Sequence, residues 1–409
     1  MKLPPNTAPD SNHKSNSHLT IIAALLSMVG PFTIDAYLPS FPDIEADFGV
    51  SRAILSQSLG VYLIAFAAAT LLWGPLADRI GRRLVILSSL SIYVLASIGC
   101  ALSENSNIFM LLRILQGFAA SGGLIASRAM IRDAHDAKSA HRAMSQVMLL
   151  FALAPAIAPV LGGWLHDHFG WRSVFWFLST FGALLFIMSI FIQETLGTEH
   201  RRSFHPRSVL RVYVETLKHR QFPFLVLTLG FVFAGLFLYI AGAPTVIYDF
   251  LGLKSNDFGF LFIPMVSGMM LGAFVSGRLA HRWSVMRINK TGFTIIICAV
   301  VLNLLLSILF EPSVFSVVGP MVLYVFGLAM IMPVITIMAL DCFPQNRGAA
   351  ASMQGFFQMF INACVASLAV PLLHTKSQNF VLGQIGFISV ALVLWYFAIK
   401  ENKTLNNIS

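Results

Sequence analysis

Apolar stretches of about 20 residues, the length that crosses a ~30 Å hydrocarbon core at a helical rise of about 1.5 Å per residue, recur along nearly the whole chain with short polar turns between them. Twelve can be marked: 19–41, 53–77, 84–103, 108–131, 143–165, 172–192, 222–247, 258–280, 290–310, 314–340, 348–372 and 380–399. Inside hydrocarbon a backbone must satisfy its own N–H and C=O groups, which a helix does within one segment. The pattern therefore predicts an all-α integral membrane protein with 12 transmembrane helices.

The longest polar stretch, Gln193 to Gln221, falls near the midpoint and separates six spans from six. It divides the chain into a tail over 1–18, a six-helix bundle over 19–192, a central loop over 193–221, a second six-helix bundle over 222–399 and a tail over 400–409. The loop holds Arg201, Arg202, Arg207, Arg211, Lys218 and Arg220. Within it Leu210, Tyr213 and Leu217 share one face at helical spacing, which fits either a short amphipathic helix on the membrane surface or a solvated linker.

Composition agrees with the class, since 57% of the 409 residues are hydrophobic, only 11% are charged and the mean hydropathy is +0.77. Charge adds orientation. With the N-terminus placed inside, 22 of the 27 Lys and Arg fall in or beside cytoplasmic segments. Arg52, Arg172, Lys254 and Lys376 fall outside, and Arg113 is buried. By the positive-inside rule both termini are expected in the cytoplasm. The net charge of +9 is spread over inner segments facing anionic lipid, so it is no footprint for nucleic acid, and no such partner is expected.

The first apolar segment lacks a strongly basic start and a small-residue cleavage site, and is read as a retained span. Cys100, Cys298 and Cys364 fall within predicted spans and Cys342 at the end of one, with no C-x-x-C spacing, so neither a disulfide nor a thiolate metal site is expected. His166 and His168 flank Asp167, but positions i and i+2 diverge on a helix, and no metal site is assigned there.

The halves resemble each other at a nearly constant offset, the trace of internal duplication. Gly74-Pro75-Leu76-Ala77-Asp78-Arg79 follows the second span, and Gly277-Arg278-Leu279-Ala280-His281-Arg282 follows the eighth, 203 positions later. Arg142-Ala143-Met144-Ser145-Gln146 opens the fifth span, and Arg347 with Ala350-Ala351-Ser352-Met353-Gln354 opens the eleventh. Two bundles related in this way bind substrate between them near the midplane and alternate access by rocking. Gly268, Gly272 and Ser276 repeat every fourth residue in the eighth span and mark a close helix contact.

Asp35 in the first span and Arg113 in the fourth are ionisable residues where charge costs roughly 2.5–3.5 kcal/mol on insertion scales, and such residues commonly serve an ion or proton pathway. An arginine keeps its proton, so Arg113 supplies a fixed charge that can pair with a carboxylate. For Asp35, burial favours the neutral acid and a nearby arginine the anion; sequence does not give the balance. Aromatic and Met side chains suit varied lipophilic substrates, and Tyr62, Met148, Phe151, Phe237, Tyr239 and Met265 are candidates for a cavity lining together with Asp35 and Gln116.

The string Gly74-Pro75-Leu76-Ala77-Asp78-Arg79-Ile80-Gly81-Arg82-Arg83 resembles the inner-loop signature of the major facilitator superfamily. In it Gly74 allows close helix approach, Gly81 a tight turn, and Arg79, Arg82 and Arg83 hold the loop at the headgroups. Asp78 is expected to accept hydrogen bonds at a helix N-terminus, that of the eleventh span near Arg347 and Gly348, in one state of the cycle. Arg113-Ile114-Leu115-Gln116-Gly117 is similar to the R-x-x-Q-G motif of drug:proton antiporters in that superfamily. In the fifth span Pro155, Pro159, Gly162 and Gly163 resemble the antiporter motif, with Ala158-Pro159 where Gly-Pro is usual. That string, the following Phe169-Gly170-Trp171-Arg172, and Ile34-Asp35-Ala36-Tyr37-Leu38-Pro39 are similar to the Bcr/CflA family of bicyclomycin and chloramphenicol resistance.

The resemblance implies a major facilitator fold of two pseudo-symmetric six-helix bundles in a bacterial inner membrane. It implies a proton-coupled antiporter that exports small lipophilic drugs, using the proton gradient and no cofactor, with Asp35 and Arg113 coupling proton to substrate. Its partners would be a small-molecule substrate, protons and the lipid bilayer, and a monomer is expected because one chain completes the pathway. Some related exporters carry a second acid about two turns earlier, where this chain has Ser27 or Met28. An exporter of an endogenous metabolite such as a siderophore, amino acid or peptide is the alternative, with a proton-coupled importer behind it. Enzyme chemistry is not expected: the P-loop, H-E-x-x-H and G-x-S-x-G strings are all absent from the sequence.

Overall fold

The computed structural model describes residues 10–135, 137–197, 199 and 206–406, and among these all regular structure is helical, with no strand. Residues 1–9 of the 1–18 tail, Arg201 and Arg202, and residues 407–409 lie outside the described residues. The N-terminal half comprises α1 (Asp10–Asp35), α2 (Phe41–Phe48), α3 (Arg52–Ile80), α4 (Arg82–Leu102), α5 (Ser106–Ala134), α6 (Ala137–Phe169) and α7 (Arg172–Ile190). The central loop carries α8 (Pro206–Leu217). The C-terminal half comprises α9 (Phe222–Ala241), α10 (Gly259–Leu279), α11 (Val285–Leu309), α12 (Val314–Asp341), α13 (Arg347–Cys364), α14 (Val370–Leu373) and α15 (Ser377–Asn406).

Among the described residues twelve stretches are long and apolar enough to cross a membrane, as the hydropathy pattern predicts, and the chain is a multi-pass membrane protein. Two ends of spans differ most from the sequence reading. The first span runs on to Phe48 rather than stopping at 41, because Pro39 and Pro42 break α1 into a short 3₁₀ turn and α2, whose Phe41 and Ile44 pack inside. The seventh span is α-helical only to Ala241, since Gly242 and Pro244 end the regular ladder and a π-helical segment, Thr245–Phe250, follows. A second π-helical segment, Val365–Ala369, joins α13 to α14.

In hydrocarbon there is no solvent to drive helices together, so association rests on close packing and interhelical hydrogen bonds. The small residues of α10 serve this. A Cβ at Gly268 or Gly272 would fall 2.7 Å from the carbonyl oxygen of Val322 or 2.3 Å from that of Phe326, and Ser276 donates to the Met330 carbonyl at 3.2 Å. All three contacts lie along α12, as the four-residue spacing predicts.

Within the N-terminal half α5 packs on α3 and α4, and α1 on α6; in the C-terminal half α10 and α11 pack on α12, and α9 on α13 and α15. The halves meet through α3 against α13 and α6 against α10. These are the second and fifth spans of one half against the fifth and second of the other, the exchange that a pseudo-twofold axis imposes. The start of α1, the turn between α3 and α4, and α8 share one end of the bundle, the linker end; the opposite end, with α2 and the start of α3, is the far end.

Candidate functional site

Arg113 sits two turns into α5 from the far end, with 0% of its surface exposed. Its guanidinium is sandwiched between two tyrosine rings, with Cζ 4.4 Å from the Tyr37 centroid and 4.5 Å from that of Tyr62. Nη1 donates to Gln116 Oε1 at 2.6 Å and to the Thr33 carbonyl at 3.3 Å. Gln116 Nε2 in turn donates to Ser97 at 2.8 Å, while Thr33 Oγ1 and the Tyr93 hydroxyl are 2.7 Å apart. One edge of the guanidinium is thus tied into a network linking α1, α4 and α5. The other edge, Nε and Nη2, has no hydrogen-bond partner. That pair is the fork with which arginine holds a carboxylate bidentately.

Gly117 lets this cluster form. A Cβ there would lie 2.2 Å from the Tyr62 carbonyl oxygen, so any larger residue would push α3 and its Tyr62 ring off Arg113.

Asp35 is the last residue of α1, two positions beyond the Thr33 carbonyl that Arg113 grips. It is 3% exposed, its Oδ1 has no hydrogen-bond partner, and no ion pair among the described residues includes it. Asp35 and Arg113 therefore come together in one region without pairing, whereas the sequence reading had the arginine act on a neighbouring carboxylate. The Tyr62 ring covers Arg113. The Tyr62 hydroxyl is likewise buried without a partner.

The fifth-span motif borders the same region. A Cβ at Gly162 would fall 1.8 Å from the Ala36 carbonyl oxygen, next to Asp35, and one at Gly163 would fall 2.3 Å from the Ser255 carbonyl oxygen of the other half. The two glycines press α6 against both halves at once. α6 runs through Pro155 and Pro159 as one helix.

The inner-loop motif is arranged differently from expectation. Gly81 has φ 105° and makes the turn between α3 and α4. Asp78 pairs with Arg82 Nη1 at 2.5 Å rather than with the start of α13, and Arg82 Nε also meets Asp133 at 3.2 Å. Arg347 pairs with Asp341 instead. The carboxylate that caps a helix N-terminus here is Glu194, which accepts from the backbone N–H groups of Arg82 and Arg83 at 3.1 and 3.0 Å. Arg83 Nη2 reaches the Ile190 carbonyl at 2.7 Å, which ties the loop to the end of α7. Among the described residues no hydrogen bond or ion pair joins Asp78 to α13 in this conformation.

The proposed lining residues separate into three groups. Met148 is 42% exposed and Phe151 half-buried, both on the linker-end half of α6, where exposed positions occupy a broad arc. Phe237, Tyr239 and Met265 are instead packed inside the C-terminal half, where the Tyr239 hydroxyl accepts from Asn303 at 2.8 Å. Tyr62 and Gln116 are buried around Arg113. The aromatic and Met content that nominated these positions reports packing as readily as lining. Tyr37, already part of the Ile34–Pro39 string, and Thr33, Tyr93 and Ser97 complete the arginine's surroundings; no motif draws attention to the last three, and their polar atoms within apolar spans are the signal that could have found them.

The model of the Major Facilitator Superfamily matches residues 22–370. The chain belongs to this superfamily. Its members similar to this chain include the "Uncharacterized MFS-type transporter YdgK" of Bacillus subtilis, 30% identical over 91% of this chain and 95% of the relative. The "Bicyclomycin resistance protein homolog" of Haemophilus influenzae is 27% identical over 96% of this chain and 98% of that protein. The "Chloramphenicol resistance protein" of Pseudomonas aeruginosa is 27% identical over 86% of this chain and 85% of that protein. Among solved structures, a bacterial homologue of the lysosomal transporter Spinster superposes with TM-score 0.72 at 15% identity, covering 97% of this chain and 98% of the other, which places the fold. A D-xylose–proton symporter superposes with the same score over 93% and 97%. The fold and relatives of this superfamily member are those of transporters, several named for antibiotic or multidrug resistance.

Proposed function

We propose that this chain is a proton-coupled antiporter that exports small lipophilic drugs or related compounds from the cytoplasm by alternating access. The observation that carries this reading is a buried carboxyl group left without an ion-pair partner, and a buried, half-used guanidinium anchored on the same helix at the Thr33 carbonyl, two positions away. Asp35 Oδ1 has no partner, and Arg113 keeps its Nε and Nη2 fork free. A carboxylate left alone in such surroundings is strongly disfavoured, so Asp35 carries a proton, meets a substrate, or swings to the fork. A group with those three options can exchange proton for substrate. The relatives named for drug resistance support the direction of transport and the substrate class. The charge asymmetry supports cytoplasmic termini in a bacterial inner membrane, with the linker end inside. No catalytic residue, cofactor or metal enters this reading, and a single chain supplies the whole pathway.

The test is substrate-induced proton release from the detergent-purified protein, read with a pH dye, beside the Asp35→Asn variant. Release that vanishes in the variant supports competition between proton and substrate at Asp35. Undiminished release, or undiminished pH-driven efflux by the variant in vesicles, overturns it. Arg113→Lys keeps the charge and loses the fork, and is expected to lower coupled efflux at least tenfold.

A further inference from the structure

One buried polar group in the C-terminal half has no role in that cycle. Asn362 lies near the end of α13, is 1% exposed, and its Oδ1 has no hydrogen-bond partner. An unsatisfied acceptor at such burial is uncommon in a native fold and calls for a partner.

The direction of Asn362 follows from its neighbours at about 100° per residue. Ile361 points at Gly230 of α9, where a Cβ would meet Ile361 Cδ1 at 2.5 Å. On the other side, Ser367, one turn on from Ala363, points at Gly60 of α3, where a Cβ would meet its Oγ at 1.7 Å. Asn362 therefore points between α9 and α3. The opposite side of α13 is the exposed one, with Phe360 42% exposed. Two turns before Asn362 on its own face stands Gly355, beside which a Cβ would meet nothing within 4 Å, and the same holds for Gly348. Ala351, also on this face, is exposed. The face is open at the linker end and closes at Asn362.

Asn362 also lies at the level of the first site. Gly60, which meets Ser367 and the Ala363 carbonyl just past Asn362, is two residues from Tyr62, whose ring covers Arg113. We infer that Asn362 is the C-terminal half's polar contact with the transported molecule, accepting a hydrogen bond from a hydroxyl or amide N–H of a neutral, donor-bearing substrate. This rests on the export reading above and names its substrate class. The C-terminal half offers an amide oxygen where a site for dications would need a second carboxylate. A site built around a hydrogen-bond acceptor discriminates against ligands that lack the donor.

The test uses the purified full chain and two probes: chloramphenicol, which carries two hydroxyls and an amide N–H, and tetraphenylphosphonium, a lipophilic cation with no donor. Asn362→Leu, close in shape, should weaken chloramphenicol binding about tenfold and leave tetraphenylphosphonium within about twofold. Equal effects on both probes, or none on either, would overturn the inference. A second measurement needs no ligand. In a background lacking Cys100, Cys298, Cys342 and Cys364, Asn362→Cys should react with a small hydrophilic thiol reagent, and Phe360→Cys should not. An inert position 362 removes it from the pathway whatever the protein carries. Retained discrimination by Asn362 without proton release at Asp35 would count against the antiport cycle alone.

Discussion

The two ends of the bundle are held in opposite ways. At the far end the halves bond to each other directly. Arg52 pairs with Asp249 while also meeting Glu45 at 2.8 Å; Asp167 accepts from Ser255 and Asn256; the Tyr248 hydroxyl donates to the Pro39 carbonyl at 2.5 Å. At the linker end the charges turn inward on their own half, Asp78 to Arg82 and Arg347 to Asp341. What spans the gap there is the linker itself. Tyr213 of α8 donates to the Leu71 carbonyl of α3 at 3.0 Å and has the Ser352 hydroxyl of α13 and the Asp78 charge as further neighbours. The difference teaches that this conformation is closed by cross-half bonds at one end and kept apart at the other, with α8 occupying the side on which Asp78 and α13 would have to approach. In the orientation proposed above, this is the inward-open state.

The largest way to break the contrast is to deny the far end its close approach. Gly163→Ala would place a Cβ 2.3 Å from the Ser255 carbonyl oxygen, a distance that forces backbone apart. Overpacking of this kind costs about 1–3 kcal/mol, so far-end spin-label distances should lengthen and efflux fall by up to ~100-fold. Gly319→Ala, with open space beside it, is the control and should transport as the parent does. Unchanged distances in Gly163→Ala would dissolve the comparison.

A smaller shift is expected from Arg52→Ala, which removes the pairs to Asp249 and Glu45. Both partners are partly exposed, and such pairs contribute about 0.2–1 kcal/mol each, so the far-end-open population should rise roughly two- to fivefold and less so in high salt. A salt-independent effect would point to packing instead.

The smallest change sharpens the other end. Tyr213→Phe deletes one neutral hydrogen bond, about 0.5–1.5 kcal/mol, and should modestly speed disulfide cross-linking between cysteines placed at the linker ends of α3 and α13. Slower cross-linking would make α8 a clamp rather than a spacer. Burial pushes the Tyr213 phenol above its ordinary value of 10.0, so it holds its proton across the neutral range. The folded state then binds the proton that the unfolded chain loses, and stability through this group falls only as pH rises past that ordinary value. A phenolate absorbance titration comparing parent and Tyr213→Phe checks it.

Much of the architecture was legible because the bilayer is a severe solvent. Twelve apolar runs, the small-residue stripe of α10 and the repeat offset each have few other physical explanations. Leu210, Tyr213 and Leu217 were enough to suggest α8, though not that Tyr213 turns to α3 and α13. The site was legible in part. Asp35, Arg113 and Gln116 stood out as polar residues in apolar spans, while Phe237, Tyr239 and Met265 stood out only by residue type, which does not tell a lining from a core.

By itself the sequence determined the class, the number of spans, the division into related halves, and which residues are costly enough in hydrocarbon to need a purpose. Each of these follows from transfer energies and spacing along one chain. Tertiary structure alone decided that Arg113 is anchored two positions from Asp35 without pairing with it, that Glu194 rather than Asp78 caps a helix at the inner-loop motif, and that Asn362 points inward with its oxygen unused. Those are contacts between residues tens to hundreds of positions apart, set by how helices cross, and no local pattern carries that information.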